Sequence, residues 1–537
     1  MMVSEMREWG SLAVTPGRFG IPATVRLVAL TVGMLISLSL IIGPVTPVEA
    51  RGAHSESAIA GTFVVLSPTR IGDTRTGSGF SDAGGTLGTG GTVNIEISGG
   101  NVPQSAVSAA VLNVTVVGPT AATFISVYPE GAVRPGVANM NVAPGQTESN
   151  LVTVQLGTQG GISIYNHSGS TDLVVDLEGY YSTNAQGEGL YNPVNPVRLL
   201  GTLQSGATVG PGVSVPVNVT GGTTGVPADA SAVVANITAA GSTVSSYLTT
   251  FPTQTGVTQD PPMVATLNFS PGQVIGNRVT VAVGANGQIE IYNHSGSVNV
   301  DVDLYGYYTG SAGELGSAFT PLVPTRLIDT RSGMNGSQIG SASSETFTFT
   351  SNGIPTNATA LASNVTAVAG AGSGYLTIFP VSDTSPPAVG DINFGANDIA
   401  GNFAVAPLNS GSTKVSNSSA EPVNIVIDAF GFFAPPPPAV HLVAIPPGLP
   451  ADGMSTSDIT VTVTTGSGVA FDDPVTLTTA PSVAGSCGIA SAAGSTNAYG
   501  QVTSTYTASV TTGSCTISAT EANGGTMGSV VITQAPT

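Results

Sequence analysis

Pro68-Thr69-Arg70-Ile71-Gly72-Asp73-Thr74-Arg75 returns as Pro196-Val197-Arg198-Leu199-Leu200-Gly201-Thr202-Leu203, and again as Pro324-Thr325-Arg326-Leu327-Ile328-Asp329-Thr330-Arg331. Arg70, Arg198 and Arg326 stand 128 residues apart. A period of that length is a whole domain rather than one turn of a solenoid, so the chain reads as an array of folded beads. Other landmarks recur in step. An apolar-Pro pair follows each Arg motif, at Val102-Pro103, Val226-Pro227 and Ile354-Pro355. Next comes an apolar strand with one Asn: Leu112-Asn113-Val114-Thr115, Ala235-Asn236-Ile237-Thr238, Ser363-Asn364-Val365-Thr366. A second strand ends in Tyr128-Pro129, Phe251-Pro252 or Phe379-Pro380. Asn141, Asn268 and Asn393 correspond, as do Asn150, Asn277 and Asn402. The closing strands are Val174-Val175-Asp176-Leu177-Glu178-Gly179-Tyr180-Tyr181, Val302-Asp303-Leu304-Tyr305-Gly306-Tyr307-Tyr308 and Ile427-Asp428-Ala429-Phe430-Gly431-Phe432-Phe433.

Short apolar runs separated by Gly, Pro, Asn and Ser fill each copy, and Glu345-Thr346-Phe347-Thr348-Phe349-Thr350 alternates with period two. That is the pattern of half-buried strands joined by turns. Long helices need Ala, Leu, Glu and Lys in quantity, and the one Lys is Lys414. With 41 % of the chain hydrophobic, each bead can bury a core, which excludes disorder. The expected class is all-β: tandem β-sandwiches, with a jelly roll as one possibility, over residues 62–182, 190–310 and 318–434. Residues 435–438 are a four-proline spacer, and 439–537 form a separate sandwich.

The N-terminal 50 residues read as an export signal. Arg7, Arg18 and Arg26 precede an apolar run over residues 27–43, followed by Val48 and Ala50 at a suitable cleavage position. A signal helix cleaved after Ala50 is the expectation. An uncleaved membrane anchor through 27–43 is the alternative, and either reading puts the rest of the chain outside the cytoplasm. The formal charge of −19 and the lack of a basic stripe exclude nucleic acid as a partner.

The Pro-x-Arg-x-x-Asp-Thr-Arg opening, the Leu-Asn-Val-Thr strand and the Asp-x-x-Gly-Tyr-Tyr close together resemble a repeat of secreted and wall-associated proteins of actinobacteria and related bacteria. The resemblance covers roughly residues 62–434 and implies a location and an architecture rather than an activity. The second copy departs from it, with Gly201 and Leu203 in place of Asp and Arg. The last segment resembles a bacterial immunoglobulin-like domain of the invasin/intimin (Big-1) group. The matching stretches include Pro450-Ala451-Asp452-Gly453, Ile459-Thr460-Val461-Thr462-Val463, Pro474-Val475-Thr476-Leu477 and Ala498-Tyr499-Gly500-Gln501-Val502. In that group such domains are stalks and spacers of surface proteins.

No catalytic, cofactor-binding or metal-binding constellation is expected. His167 and His294 share an Asn-His-Ser-Gly turn, and the third copy has Ser418 there. Asp301 and Asp303 share one strand face, but only Asp303 recurs, and no calcium-loop spacing accompanies them. Asn113, Asn236 and Asn364 lie in Asn-x-Ser/Thr sequences, yet their apolar strands suit a side chain tying neighbouring backbone better than a glycan. Arg70, Arg198 and Arg326 near the start of each copy, and Asp176, Asp303 and Asp428 near its end, sit in apolar surroundings. A buried charge is tolerated when paired, so each Arg is expected to meet its Asp as a structural ion pair. Cys487 and Cys515 are the only cysteines and fall in one small domain of an exported chain, so a disulfide is expected, with two buried thiols as the alternative.

The expected function is therefore a non-enzymatic extracellular or cell-surface protein with a structural or adhesive role, built as a rod of β domains. A wall- or carbohydrate-binding protein is the alternative, with Tyr180, Tyr181, Tyr307 and Tyr308 either as stacking platforms or as core. A hydrolase of unrecognised type is a remote third reading. The partner, whether a surface, a wall polymer or a glycan, is not legible.

Overall fold

In this computed structural model the described residues are 59–537, apart from 81–84, 185–187, 256–259, 312–314, 437–438, 466–467, 471, 491–493 and 523–526. The leader, with its apolar run and cleavage position, lies outside them. The first copy comprises β1 (Thr62–Asp73), β2 (Thr92–Glu96), β3 (Val107–Val117), β4 (Thr123–Pro129), β5 (Met140–Val142), β6 (Thr147–Gln155), β7 (Gly161–Asn166) and β8 (Asp172–Ser182). The second repeats it as β9 (Tyr191–Gly201), β10 (Val213–Asn218), β11 (Ala232–Ala240), β12 (Ser246–Pro252), β13 (Leu267–Phe269), β14 (Val274–Ala282), β15 (Gln288–Asn293) and β16 (Asn299–Tyr308). The third comprises β17 (Ala318–Asp329), β18 (Ser344–Thr348), β19 (Ala360–Ala369), β20 (Gly374–Phe379), β21 (Ile392–Phe394), β22 (Ile399–Pro407), β23 (Ser412–Asn417) and β24 (Val423–Ala434).

Each copy folds as two four-stranded antiparallel sheets: β1-β8-β3-β6 with β2-β7-β4-β5, and the corresponding orders in the other two. Their inner faces share a core. In the first copy Leu112, Val114 and Val175 from one sheet meet Ile125, Val127 and Ile164 from the other. The two sheets differ on their outer faces. β2, β10 and β18 bury few residues, as expected of strands wet on one side, whereas β3, β11 and β19 are buried along nearly their whole length. A strand buried on both faces needs a second layer against it.

That layer is the sister copies. β6, β14 and β22, the edge strands of the three buried sheets, meet one another. A fourth apolar cluster draws on all three copies, with Val111, Leu151 and Tyr181 from the first, Val234, Tyr191 and Tyr308 from the second, and Phe319, Phe403 and Phe433 from the third. The copies thus form one body around a pseudo-threefold axis. This is where the structure departs from a rod of independent beads: apolar side chains read as each bead's private core include a set shared between beads.

After the prolines, β25 (Ala439–Ile445), β26 (Gly448–Pro450), β27 (Thr456–Thr465), β28 (Gly468–Val469), β29 (Pro474–Pro481), β30 (Ile489–Ala490), β31 (Gly494–Ser495), β32 (Gln501–Thr507), β33 (Gly513–Glu521) and β34 (Met527–Ala535) form two more sheets. Their orders are β25-β27-β32-β30, with β28 beside β27, and β26-β34-β33-β29-β31. Among the described strands, β26 and β34 alone pair in parallel. Tyr506, Ile459, Cys515 and Ile532 lie in the core between the sheets.

Candidate functional site

Where the three edge strands converge, the backbone poses a problem. An edge strand presents unpaired N–H groups, and a buried one must find acceptors. The recurring Asn150, Asn277 and Asn402 supply them. Asn277 Oδ1 accepts from Leu151 N (3.0 Å), Asn402 Oδ1 from Arg278 N (3.2 Å) and Asn150 Oδ1 from Phe403 N (2.9 Å), each bond crossing between copies. Their amide nitrogens turn outward to the other recurring set. Asn277 donates to Asn113 Oδ1, Asn402 to Asn236 Oδ1 and Asn150 to Asn364 Oδ1, at 2.8, 2.8 and 2.9 Å. Asn113, Asn236 and Asn364 in turn donate to Ala265, Gly390 and Ala138 carbonyls of the next copy. The first copy binds the second, the second the third, and the third the first, so the ring closes. These Asn-x-Ser/Thr asparagines are buried at 2 % exposure or less, which leaves no room for a glycan in the folded protein.

A second ring is aromatic. Phe63 packs on Tyr308 at 4.4 Å between centroids, Tyr191 on Phe433 at 4.5 Å and Phe319 on Tyr181 at 4.3 Å. Each pair joins the first strand of one copy to the last strand of another. Tyr181 and Tyr308 also share a hydroxyl hydrogen bond of 2.6 Å, which satisfies both polar tips inside the core. Backbone bridges reinforce the same joints, Gly61 with Phe319 and Tyr191 with Ser317. Of the four tyrosines considered as stacking platforms, Tyr181 and Tyr308 are at most 2 % exposed, Tyr180 is buried and Tyr307 packs partly against its own copy's core. They are packing residues.

The Arg and Asp residues face one another in strand register. Arg70 Nε lies 2.9 Å from Asp176, Arg198 2.7 Å from Asp303 and Arg326 2.8 Å from Asp428, each with a second contact through Nη2. Burial raises all three carboxyls above the ordinary range, and the facing guanidinium opposes it. In the first and third copies a second carboxylate, Asp73 or Asp329, lies within 4 Å of that Arg, at 3.8 and 3.5 Å, and accepts a bidentate bond from Arg75 or Arg331. Those bonds hold Asp73 and Asp329 below the usual range. The second copy has Gly201 at this position, and the residue opposite it in register is Asp301, where the others have Val174 and Val426. Asp301 reaches Arg198 Nη1 at 2.7 Å. The missing carboxylate is thus supplied from across the ladder, which accounts for the adjacent Asp301 and Asp303 without a metal.

One ion pair lies wholly inside the assembly and escaped the sequence reading. Arg278, fully buried, holds Asp391 of the third copy at 2.5 Å, donates to the Phe403 carbonyl and lies 3.6 Å from the Tyr305 ring centre. Its counterparts are Leu151 and Phe403. Glu178, at the position where the other copies carry Tyr305 and Phe430, is also buried and accepts a hydrogen bond from Thr280 N of the second copy. Burial pushes its carboxyl up to about 8. The signal for both was present: three copies meeting at one axis cannot all place the same large side chain there, so buried positions where the copies differ mark the axis.

His167 and His294 occupy their turns, stacked on Phe124 and Tyr247 at 4.3 and 4.6 Å. Among the described residues no group of three or more His, Cys, Asp or Glu could hold a metal ion. No helix among them is long and apolar enough to cross a membrane. Cys487 and Cys515 form a disulfide closing a 28-residue separation in the C-terminal sandwich. No protein-family model matches the chain, and no curated protein sequence matches it.

Proposed function

We propose that the chain is an exported, non-enzymatic surface protein whose three copies form one rigid head, followed by a spacer module. The observation that carries this reading is the closed asparagine ring: two sets of asparagines that recur through the repeat are engaged in holding the copies together. A recurring set devoted to assembly fits a structural or adhesive body better than a reaction centre. The disulfide supports export, because such bonds persist in oxidising surroundings. In this reading each copy is a jelly roll, since sheet orders 1-8-3-6 and 2-7-4-5 nest the strands as two Greek keys do. The C-terminal sandwich, with its parallel β26–β34 edge, is taken as the immunoglobulin-like module of the Big-1 resemblance. The deciding experiment is fractionation of the native host with protease treatment of intact cells. Recovery in the wall or culture fluid, with loss on protease treatment of any cell-bound fraction, supports the proposal. Recovery in the cytosol alone, with two free thiols, sinks it.

A further inference from the structure

A cavity of about 990 Å³ opens at the pole of the axis where β6, β14 and β22 begin, walled by all three copies. We propose that it is a binding site for a neutral oligosaccharide of a few rings. This goes beyond the surface-protein reading and does not depend on it, since the site is argued from its walls alone.

The cavity exists because the copies are not identical. At the first-to-second interface Asn268 donates its amide to Ser149 at 2.7 Å. At the other two interfaces the serine position is glycine, Gly276 and Gly401, and both line the cavity. The corresponding amides, Asn393 and Asn141, line it too, and Asn393 Nδ2 is buried with no hydrogen-bond partner. Such a donor costs stability unless a ligand or water meets it. The second copy's other departure also falls here: Leu203, where its sisters carry Arg75 and Arg331, is on the cavity wall.

The chemistry of the wall selects the ligand. Phe124, backed by its stack on His167, and Tyr375, 41 % exposed, offer aromatic faces suited to the C–H faces of a sugar ring. Asn and Gln amides are interspersed with Glu148 and Asp398, so the rim mixes donors with acceptors. Hydroxyl groups, each donor and acceptor at once, match such a rim. No Lys or Arg is among the residues that line it, which leaves a phosphate or carboxylate ligand without a counter-charge. The volume falls at the upper end of the roughly 300–1,000 Å³ of ligand pockets.

The test is titration of the full chain with maltotriose, cellobiose, trehalose and N,N′-diacetylchitobiose, read by saturation-transfer NMR and calorimetry. The proposal expects at least one of them to bind with a Kd of about 1 mM or tighter. Gly276→Ser should give Asn393 the partner that Asn268 has, and should weaken binding at least about tenfold without lowering the thermal midpoint. Leu203→Arg, at an exposed position, gives a second route to the same loss should the serine not be accommodated. No binding of any of the four overturns the proposal. Binding unchanged by both variants overturns it as well, and so does binding of choline or spermidine in preference to every sugar, because the two carboxylates would then define a cation site.

Discussion

Asn277, on the axial strand of the second copy, donates its side-chain amide to Asn113 Oδ1 of the first copy across 2.8 Å. The same nitrogen bonds the Thr266 carbonyl at 2.6 Å, and the same residue's oxygen accepts Leu151 N of the first copy. One amide therefore completes its own copy's loop, caps a sister's edge strand and anchors a sister's central strand. Because Asn150 and Asn402 do likewise, the copies are coupled through polar groups that have no alternative partner once buried.

Asn277→Ala strips acceptor and donor together and leaves Leu151 N, Thr266 O and Asn113 Oδ1 without the bonds that Asn277 made to them. Each orphaned buried group costs about 1–3 kcal/mol, so a loss on the order of 3–5 kcal/mol is expected in denaturant unfolding of the three-copy body. The same coupling implies one cooperative transition for residues 59–434, and it implies that an excised third copy, residues 318–434, exposes Phe319, Phe433 and Phe403 and self-associates. A monomeric, fully stable isolated copy would contradict this account.

Arg326→Ala leaves Asp428, 1 % exposed, without its guanidinium. Removing one partner of a buried pair costs about 3–5 kcal/mol, and some of that is relieved here because the Arg end is 28 % exposed to water. Asp428 also accepts a long bond from Ala138 N of the first copy, so the damage should reach the inter-copy joint. An unchanged denaturation midpoint would rule the pair out as a structural element.

The recurring features of this protein were legible in sequence because repetition is evidence in itself. Arg70 and Asp176 recur in all three copies, and their apolar settings demand pairing. Asn113 could be read as a side chain tying backbone, but not as a tie to another copy. A strand such as β3, with apolar residues on both faces, looks alike whether the second layer is its own sandwich or a neighbour's. The axis was marked in a different way, by variation at Leu151, Arg278 and Phe403. That variation acquires meaning only once the strands are known to meet. Leu203 and Gly201 registered as a departure from the repeat, whereas their consequences, the Asp301 substitute and the cavity wall, depend on cross-strand and cross-copy neighbours that spacing does not reveal.

Glu178 makes stability pH-dependent. Its folded value of about 8 lies above the ordinary 4.5, so the protonated form is the one the folded state favours. Its stabilising contribution is complete below pH 4.5 and is lost as pH rises to about 8. The raised carboxyls of Asp176, Asp303, Asp428 and Asp391 act in the same direction. Glu178→Gln retains an acceptor for Thr280 N and cannot ionise. It should raise stability at pH 8 by a few kcal/mol, roughly, and change little at pH 4. Equal effects at both pH values would show that ionisation of Glu178 is not the cause.

The disulfide should act locally. Cys487 and Cys515 are 28 residues apart, and restricting the unfolded chain over such a loop stabilises by about 3–4 kcal/mol in the entropy model. Cys487→Ser with Cys515→Ser is expected to lower the transition of the C-terminal sandwich and leave that of the three-copy body in place. Titration of the denatured, unreduced protein should find no free thiol. Two thiols per chain in material from the host's exterior would refute the bridge.

The Arg278–Asp391 pair offers the sharpest test, because the repeat supplies its own replacement. At the equivalent places the first copy carries Leu151 and Asn139, and Asn139 Oδ1 still caps Val127 N as Asp391 caps Ile378 N. Arg278→Leu alone abandons a fully buried carboxylate and should cost about 3–5 kcal/mol. Asp391→Asn alone leaves a buried guanidinium whose Nη1 has no hydrogen-bond partner even in the intact protein, and should cost a similar amount. The double substitution removes both buried charges, puts at each place a residue type that the first copy carries at the equivalent position, and should lie near the parent stability or above it. A double-mutant cycle would then return a coupling of several kcal/mol, well beyond the few tenths expected of independent sites. Additive losses would mean that the two charges are accommodated separately, and that the pair does not join the second copy to the third.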